Sequence, residues 1–291
     1  MEVRYDIAII GSGPAGLSAA INSKIRNKNV IVFGSKDLSN KILKAPMVNN
    51  YLGFPEATGE ELKDSFQKHI DNLKIKIKFE RINAVYSMGD YFVLMVNEKS
   101  YEATTLIVAT GMEYTKPLKG EEEFLGRGVG YCATCDAPLY KGKTVTIIGH
   151  NRDAEEEANY VSELASKLYY IPLYEGDYDL SKNIEIIKDK PTEIRGSSTV
   201  EKLILRNREI STDGIFVMKE SVSPGQLVPG LKIVDGHIFV NRDLSTNIPG
   251  CFAAGDCTGK PYQFMKSAGE GQAAALNVVQ YLNMMNKNKP S

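Results

Sequence analysis

Two copies of one pattern, an apolar strand followed by a turn, a helix and a second strand, predict an α/β protein. The first copy begins its turn at Gly11 and the second at Gly149. Strands buried on both faces of a parallel sheet have nearly continuous apolar sequences, as residues 5–10 and 30–33 do. Strand-rich segments follow each copy, at residues 74–111 and 192–218. The predicted fold is two Rossmann-like, three-layer (ββα) nucleotide-binding-type domains.

Composition excludes several classes of function. The chain has 291 residues, of which 43% are hydrophobic and 24% are charged, as in globular proteins of about two domains. Lys and Arg number 35 against 36 Asp and Glu, so the net charge is −1, which argues against a nucleic-acid-binding protein. No apolar run reaches the roughly 18 residues of a membrane span, and no secretory signal pattern is present. We therefore expect a cytoplasmic protein with no nucleic-acid or membrane partner.

The first turn has the spacing of a dinucleotide-binding loop. Its sequence is Gly11-Ser12-Gly13-Pro14-Ala15-Gly16. In such a loop the first Gly makes the tight turn, the second admits a pyrophosphate and the third lets the helix pack on the strand. The helix amino terminus adds free N–H groups and partial positive charge. A purely structural glycine turn is the alternative, but the position between a strand and a helix favours nucleotide binding.

The end of the second strand departs from the usual loop. An acidic residue normally binds the ribose there, whereas this chain has Gly34 and Ser35, with Asp37 slightly late. We expect ribose recognition from the backbone or from Ser35.

Two later strand ends and one helix start indicate FAD. Apolar strands at residues 105–111 and 251–256 end in Ala-Thr-Gly and Gly-Asp, and an Asp there can bond polyol hydroxyls such as those of the ribityl chain. Residues 267–271 predict the start of a helix whose N–H groups face the flavin pyrimidine. Each feature alone is an ordinary strand or helix end, but the three in this order are specific. The strand-end residues concerned are Ala109, Thr110, Gly111, Gly255 and Asp256.

A Cys-x-x-Cys pair carries the predicted chemistry. Cys132 and Cys135 are placed at a predicted helix start, where thiol pKa is lowered and the thiolate is favoured. The adjacent Asp136 can pass a proton to a leaving thiolate. Half of a zinc or iron–sulfur site is the alternative, but it needs two more ligands. Only Cys251 and Cys257 remain, beside the predicted flavin strand, so they are expected to be small buried residues and no metal is expected.

These motifs together resemble the low-molecular-weight thioredoxin reductases over nearly the whole chain. The resemblance implies an FAD domain built from residues 1–113 and 243–291, and a central domain at residues 116–240 that carries the redox disulfide. The matching positions are residues 11–16, Asn50 with Gly53, residues 109–111, 132–136 and 253–256, Gln263 and residues 267–269.

The resemblance also assigns roles to individual residues. Cys135 is expected to face the flavin, Cys132 to attack the disulfide of thioredoxin and Asp136 to act as general acid, in a homodimer. The predicted FAD-binding residues are Gly11, Ser12, Gly13, Pro14, Ala15, Gly16, Gly34, Ser35, Asn50, Ala109, Thr110, Gly111, Gly255, Asp256, Gln263 and Phe264.

The second turn departs from the family pattern of Gly-x-Gly-x-x-Ala. Asn151 stands where the second Gly admits the pyrophosphate. Residues 172–174 are Pro, Leu and Tyr, where NADPH-using members carry a His-Arg-Arg cluster for the 2′-phosphate. Glu175 and Asp177 follow, and their charge opposes a phosphate. The pyridine-nucleotide site is therefore predicted to be degenerate.

Two explanations of this degeneracy remain. Glu175 can select NADH by bonding ribose hydroxyls, or the electrons come from another donor. The sequence resembles a subset of the family, from anaerobic and ancient lineages, that keeps the Cys-Ala-Thr-Cys centre, lacks the nucleotide motifs and takes electrons from reduced ferredoxin. We favour ferredoxin, with a flavin that accepts single electrons and delivers two.

The alternatives belong to several classes. An NADPH- or NADH-dependent thioredoxin reductase is the nearest. Ferredoxin–NADP reductase relatives lack the Cys-x-x-Cys, and a non-catalytic flavin-binding sensor would not need it. Two basic clusters are candidates for ferredoxin docking, with an ordinary solvated face as the alternative. Their members are Lys24, Arg26 and Lys28, and Lys74, Lys76 and Lys78.

Overall fold

The computed structural model describes residues 4–96, 99–112, 117–131, 133–218 and 223–287, apart from the side chains of Asn40, Thr134 and Cys135. The chain divides into two compact units, one formed by residues 1–112 and 223–291 and the other by residues 113–222. The predicted α/β fold with one discontinuous domain is confirmed. Residues 223–240, assigned by the sequence to the central domain, group with the first unit. Residues 113–116, where one predicted domain ends and the next begins, lie outside the described residues.

The amino-terminal part of the first unit begins with the predicted strand–turn–helix–strand pattern. Its elements are β1 (Tyr5–Ile10), α1 (Pro14–Ile25), β2 (Val30–Phe33), α2 (Asn40–Leu43), α3 (Gly59–Asn72), β3 (Ile77–Lys78), β4 (Ala84–Ser87), β5 (Phe92–Val96) and β6 (Lys99–Val108). The strands lie in the order β3-β2-β1-β6-β5-β4. Strands β1, β2, β3 and β6 run parallel, whereas β4, β5 and β6 are antiparallel neighbours. The predicted meander therefore shares β6 with the parallel sheet.

The second unit repeats the pattern around a five-stranded parallel sheet. Its elements are β7 (Val129–Gly130), α4 (Ala133–Asp136), β8 (Thr144–Gly149), α5 (Asp153–Ser162), β9 (Lys167–Pro172), β10 (Ile184–Ile186), β11 (Pro191–Gly196), β12 (Val200–Leu205), β13 (Glu209–Ser211) and β14 (Gly214–Met218). The parallel strands lie in the order β10-β9-β8-β14-β7, and β11, β12 and β13 form a separate antiparallel sheet.

The parallel sheet of the second unit is buried on both faces, which explains the three layers of this unit. Ile148, Ile171 and Val217 of the parallel sheet pack against Leu203 and other residues of the antiparallel sheet. The opposite face of the parallel sheet, with Val145 and other residues, packs against the helices. Buried parallel strands need cover on both faces, so this arrangement matches the predicted ββα layers.

The carboxyl-terminal segment completes the first unit. Its elements are α6 (Pro224–Leu227), β15 (Ile233–Val234), β16 (His237–Ile238), β17 (Cys251–Ala253) and α7 (Phe264–Lys287). Strand β17 pairs in parallel with the second half of β6, and α7 packs its buried alanines with those of α1 over the sheet. No helix among the described residues is both long and apolar enough to cross a membrane.

Two helix boundaries differ from the sequence-based expectation. Helix α5 ends at Ser162 instead of continuing to Lys167, because the amides of Ser166 and Lys167 bond the carbonyl of Lys143 and turn the chain into β9. Helix α7 starts at Phe264, three residues before the predicted start at Ser267. The Ser267 amide therefore already bonds the carbonyl of Gln263 inside the helix, and the free amides at this helix start lie earlier in the chain.

Candidate functional site

The predicted cofactor residues of the first unit converge on one edge of its sheet. Strands β1, β2, β6 and β17 run parallel, so their carboxyl ends meet at this edge. Gly11 follows β1, Gly34 follows β2, Ala109 follows β6, and Gly255 comes two residues after β17. Open α/β sheets bind ligands at the carboxyl ends of their strands, so the edge is the first candidate site.

The three glycines of the first turn are needed for different physical reasons. Gly11 has a φ of +118°, and a Cβ atom on it would lie 2.1 Å from the carbonyl oxygen of Ala109. A Cβ atom on Gly16 would lie 1.8 Å from the carbonyl oxygen of Gly11. By contrast, a Cβ atom on Gly13 would meet nothing within 4 Å. The chain itself requires the first and third glycines, while the second opens onto space that a ligand can fill.

The amino terminus of α1 keeps its first amides uncapped. Gly13 is the N-cap residue, no side chain bonds to the cap, and Pro14 occupies the first turn. Helix α3 differs, because the side chains of Thr58 and Glu61 form a complete capping box there. Uncapped amides at a helix start suit an anion such as a pyrophosphate.

Ser12 and Ser35, two of the predicted FAD-binding residues, are joined by a hydrogen bond within the protein. The hydroxyl of Ser12 donates to the carbonyl of Leu38 over 2.6 Å and accepts from the amide of Ser35 over 2.9 Å. A Cβ atom on Gly34 would lie 2.2 Å from that hydroxyl oxygen. Ser12 and Gly34 therefore hold the β2 loop against the first turn, and Ser35 is anchored beside it by its backbone.

Asp256 is held by two side chains from separate elements. Its Oδ2 accepts from Nζ of Lys41 over 3.1 Å, and its Oδ1 accepts from the hydroxyl of Ser267 over 3.1 Å. Each carboxylate oxygen can accept more than one hydrogen bond, so the fixed carboxylate keeps capacity for a ligand hydroxyl.

The turn that carries Asp256 is clamped by an ion pair on α7. Nζ of Lys266 donates to the carbonyls of Gly255 and Gly259, both over 2.9 Å. The Glu270 carboxylate accepts from the Gly255 amide over 2.8 Å and lies 3.0 Å from Nζ of Lys266. Sequence reasoning missed this pair, whose only signal is the i, i+4 spacing of opposite charges on one helix.

Further predicted residues meet near the start of α7. Nδ2 of Asn50 donates to Oε1 of Gln263 over 2.9 Å, although the two lie far apart in sequence. The buried hydroxyl of Thr110 has no hydrogen-bond partner among the described residues, as expected where a ligand completes the bonding. Phe264 is half-buried and packs against the cluster around Ile42.

The predicted redox motif lies at the short helix α4. Cys132 lies outside the described residues, and Cys135 is described only by its backbone within Ala133–Asp136. Asp136 is half-buried, and burial raises the pKa of its carboxyl above the ordinary value. A raised pKa keeps more of the carboxyl protonated near neutral pH, as a general acid requires. Burial also raises the pKa of Tyr140, with the Asp136 charge as a second cause.

The other two cysteines are structural. Cys251 and Cys257 are fully buried, which confirms their interpretation as small buried residues. Burial raises the pKa of Cys251 to about 12 and that of Cys257 to about 11. Neither thiol is available as a thiolate at neutral pH.

The turn of the second unit is filled where that of the first is open. Its first glycine, Gly149, is packed as tightly as Gly11, because a Cβ atom on it would lie 2.2 Å from the Tyr170 hydroxyl oxygen. The difference lies at the next position of the motif, where Asn151 replaces a glycine. Asn151 has a buried side-chain oxygen with no partner among the described residues. The first turn of α5 carries Asp153, Glu155 and Glu156, so its helix start is acidic.

A buried hydrogen-bond network occupies the space beside this turn. The Tyr174 hydroxyl donates to Oε1 of Glu155 and is 2.9 Å from the Tyr170 hydroxyl. Oε2 of Glu155 accepts from the Asp179 amide over 2.7 Å. Burial raises the pKa of Tyr170 to about 12, and burial followed by the bond to Glu155 raises that of Tyr174. Sequence reasoning identified Tyr174 as unsuited to phosphate but missed its bond to Glu155.

Comparisons with known proteins identify the family of this chain. Residues 5–175 match the pyridine nucleotide-disulphide oxidoreductase family. A thioredoxin reductase of Mycoplasma genitalium is 32% identical over 95% of both chains. The chain belongs to the thioredoxin reductases.

A crystal structure of a ferredoxin-flavin thioredoxin reductase from Clostridium acetobutylicum is 63% identical, with a TM-score of 0.94 over 97% of this chain and 99% of that one. A thioredoxin reductase from Gloeobacter violaceus, 24% identical over 99% of this chain and 97% of that one, shares the fold at a TM-score of 0.79.

Thioredoxin reductases of this family are FAD flavoproteins, and FAD is the cofactor of this chain. The first unit fits that cofactor on its own geometry. The space beside Gly13, the uncapped start of α1 and the unpartnered Thr110 hydroxyl lie at one sheet edge. The individual FAD-binding residues remain predictions.

Five of the six residues in the two basic clusters lie at the opposite edge. Lys24 is in the last turn of α1, Arg26 and Lys28 follow just before β2, and Lys74 and Lys76 precede β3, so these five stand near the amino ends of parallel strands. Lys78 instead ends β3, and its Nζ donates to the Tyr101 hydroxyl over 3.2 Å. FAD is expected at the carboxyl ends. This placement favours an ordinary solvated face over a donor docking site.

Proposed function

We propose that this thioredoxin reductase takes its electrons from reduced ferredoxin and passes them through FAD and a Cys132–Cys135 dithiol to thioredoxin. The proposal includes a homodimer in the cytoplasm. The single observation that carries the donor is the network of Tyr174, Tyr170 and Glu155 in the second unit.

That network and the residues next to it oppose a pyridine nucleotide in two ways. A pyrophosphate needs close backbone approach at the turn after β8, where Asn151, with a buried side-chain oxygen, replaces the second glycine and the network lies beside it. It also needs a positive helix start, whereas Asp153, Glu155 and Glu156 make that of α5 acidic. The 63% identity to a ferredoxin-flavin thioredoxin reductase supports the same donor.

The chain's own residues account for the thiol chemistry. FAD supplies electrons to a disulfide as a pair after accepting them singly. The Cys132 thiolate attacks the thioredoxin disulfide, forming a mixed disulfide, and the leaving thioredoxin thiolate takes a proton from Asp136. Cys135 then attacks the Cys132 sulfur, which releases the second thioredoxin thiol and re-forms the Cys132–Cys135 disulfide. Two thiols are oxidised and one disulfide is reduced, so the exchange balances.

The donor is tested by anaerobic titration of the purified protein with NADPH, NADH and reduced ferredoxin in turn, following the flavin absorbance. We expect bleaching with ferredoxin and negligible change with either nucleotide. Steady-state thioredoxin reduction with NADPH at micromolar concentration would favour the NADPH-dependent alternative. It would leave the FAD and dithiol assignments intact.

The dithiol is tested separately. Cys132→Ser and Cys135→Ser should each abolish thioredoxin reduction while FAD stays bound, because each removes one sulfur of the exchange. Wild-type turnover in either variant would contradict the assigned centre. A sensor function predicts no turnover in the wild type at all.

Asp136 is tested by its pH dependence. Asp136→Asn should slow thioredoxin reduction about a hundredfold, since the proton donor is lost. In the wild type the rate should fall as the pH rises through the raised pKa of this carboxyl, and that limb of the profile should vanish in the variant. An unchanged profile in Asp136→Asn would assign the proton to another group.

A further inference from the structure

Helix α4, which carries the redox motif, is bonded to α5 by a carboxylate. The amide of Ala133 donates to Oε2 of Glu157 over 2.8 Å. Ala133 is fully buried and Glu157 is half-buried, so the bond lies partly shielded from water. A charge-assisted hydrogen bond in such a place is stronger than an exposed one.

This bond can affect the thiol of Cys132 because of where the amide lies in the chain. The Ala133 nitrogen forms the peptide bond with Cys132 and is the first amide of α4. Amides at a helix start normally lower the pKa of a neighbouring thiol, because they stabilise the thiolate. Here the amide hydrogen is taken by a negative charge, which repels a thiolate instead.

We propose that Glu157 is a positioning residue of the redox centre, which anchors the Cys132–Ala133 peptide to α5 and whose charge keeps the dithiol strongly reducing. This inference rests on the proposed role of Cys132 and Cys135.

The sign follows from thiol–disulfide thermodynamics. A disulfide becomes a strong oxidant when its reduced form is stabilised as a thiolate. A carboxylate bonded to the amide of Ala133, the residue next in sequence to Cys132, destabilises that thiolate, so the thiol pKa rises and the reduction potential falls. A lower potential suits an enzyme that must deliver electrons to another disulfide.

Several other titratable groups lie on α4 and on the elements next to it, and each has a different position or hydrogen-bond partner. Asp136 is on α4 itself, and Tyr140 is on the 3-10 turn that follows it. On α5, Glu155 bonds Tyr174 and the Asp179 amide, and Glu156 is exposed. Glu157 is the carboxylate bonded to the Ala133 amide.

The test compares Glu157→Gln with Glu156→Gln, which removes the same charge from the exposed side of the same helix. Gln keeps an oxygen acceptor for the Ala133 amide, so the cap survives without its charge. The first readout is the pH dependence of iodoacetamide alkylation of Cys132 in the reduced holoprotein, followed by mass spectrometry. Buried Cys251 and Cys257 do not compete for the reagent.

We expect the Cys132 profile of Glu157→Gln to move down by about half to one pH unit. At pH about 8.5, near the ordinary thiol pKa, the dithiol–disulfide equilibrium should shift about two- to sixfold toward the dithiol. That is a rise of about 10–25 mV in potential. Glu156→Gln should match the wild type in both measurements.

Glu157→Asp separates charge from structure, since it keeps the charge but withdraws it by one methylene. The pH profile of Cys132 alkylation in Glu157→Asp should lie between those of the wild type and Glu157→Gln, closer to the wild type. If Glu157→Gln does not fold, Glu157→Asp alone shows whether the charge acts on the thiol. Wild-type profiles and potentials in the folded Glu157 variants, or an equal shift in Glu156→Gln, would overturn the proposal. A failure of the proposed function looks different, because wild-type protein would then show no redox-dependent labelling of Cys132.

Discussion

The strand–turn–helix segments of the two units share one sequence pattern and differ in which side chains occupy the turn. In the first unit, Gly13 opens onto space and no side chain caps α1. In the second, Asn151 stands at the position that matches Gly13, with its side-chain oxygen buried, while Glu155 and Tyr174 bond beside the turn. The same supersecondary frame therefore serves as a cofactor cradle in one unit and as a buried core in the other. Side chains at a few turn positions decide between them.

The largest expected effect comes from closing the open turn. Gly13→Glu places a carboxylate and its volume where a pyrophosphate is expected, so FAD affinity should fall at least about a thousandfold. The φ of −74° at Gly13 suits any residue, so the apoprotein should unfold at nearly the wild-type urea concentration. Released-flavin fluorescence measures the affinity. Undiminished FAD binding would remove the first turn from the site.

A second change tests how tightly the turn after β8 is packed. Gly149→Ala forces a methyl group against the Tyr170 hydroxyl, 2.2 Å from the ideal Cβ position. Overpacking of this kind costs about 2 kcal/mol of unfolding free energy, while FAD affinity should stay unchanged. Urea unfolding of the second unit and flavin release are the measurements. A loss of FAD without a loss of stability would reverse the comparison.

A smaller effect is expected inside the network itself. Tyr174→Phe removes the hydroxyl that joins Tyr170 and Glu155, leaving the buried carboxylate with one fewer donor. The unfolding free energy should fall by about 1–2 kcal/mol. Tyr178→Phe is the matched control, because among the described residues its hydroxyl bonds only the carbonyl of Tyr174, over a long 3.3 Å. Equal losses in the two variants would mean that the network adds no stability of its own.

The smallest expected effect concerns a helix start that serves structure alone. Thr58→Ala breaks the capping box of α3 and should cost about 1 kcal/mol of stability, with FAD binding unchanged. Thr58→Ser keeps the acceptor oxygen and should recover most of the loss. Reduced FAD affinity in Thr58→Ala would show that α3 also supports the cofactor edge.

Local sequence determined the elements of both units. The apolar runs at β1, β2, β8 and β9 and the glycine turns after β1 and β8 were identified from spacing alone, because a buried parallel strand admits little but apolar residues. Helix ends were less certain, since α5 stops at Ser162 only when its exit amides meet the Lys143 carbonyl. That contact lies between distant parts of the chain, and no local pattern encodes it.

Residue type also determined much of the candidate site. Spacing identified Gly11, Gly13 and Gly16 as one turn, but it did not separate the two glycines that the backbone requires from the one that faces open space. Tertiary structure decided that, through the approach of Gly11 to the Ala109 carbonyl and of Gly16 to the Gly11 carbonyl.

The sequence by itself predicted a flavin and dithiol protein with a degenerate second nucleotide motif, because glycine spacing, strand ends and Cys-x-x-Cys are local features. Only the tertiary structure decided what replaced the missing motif. Glu155 and Tyr174 are 19 residues apart, and Glu157 lies 24 residues from Ala133. Bonds across such separations form only when the fold brings α5 against β9 and α4, since a side chain's partner is set by burial and distance in space rather than by its neighbours along the chain.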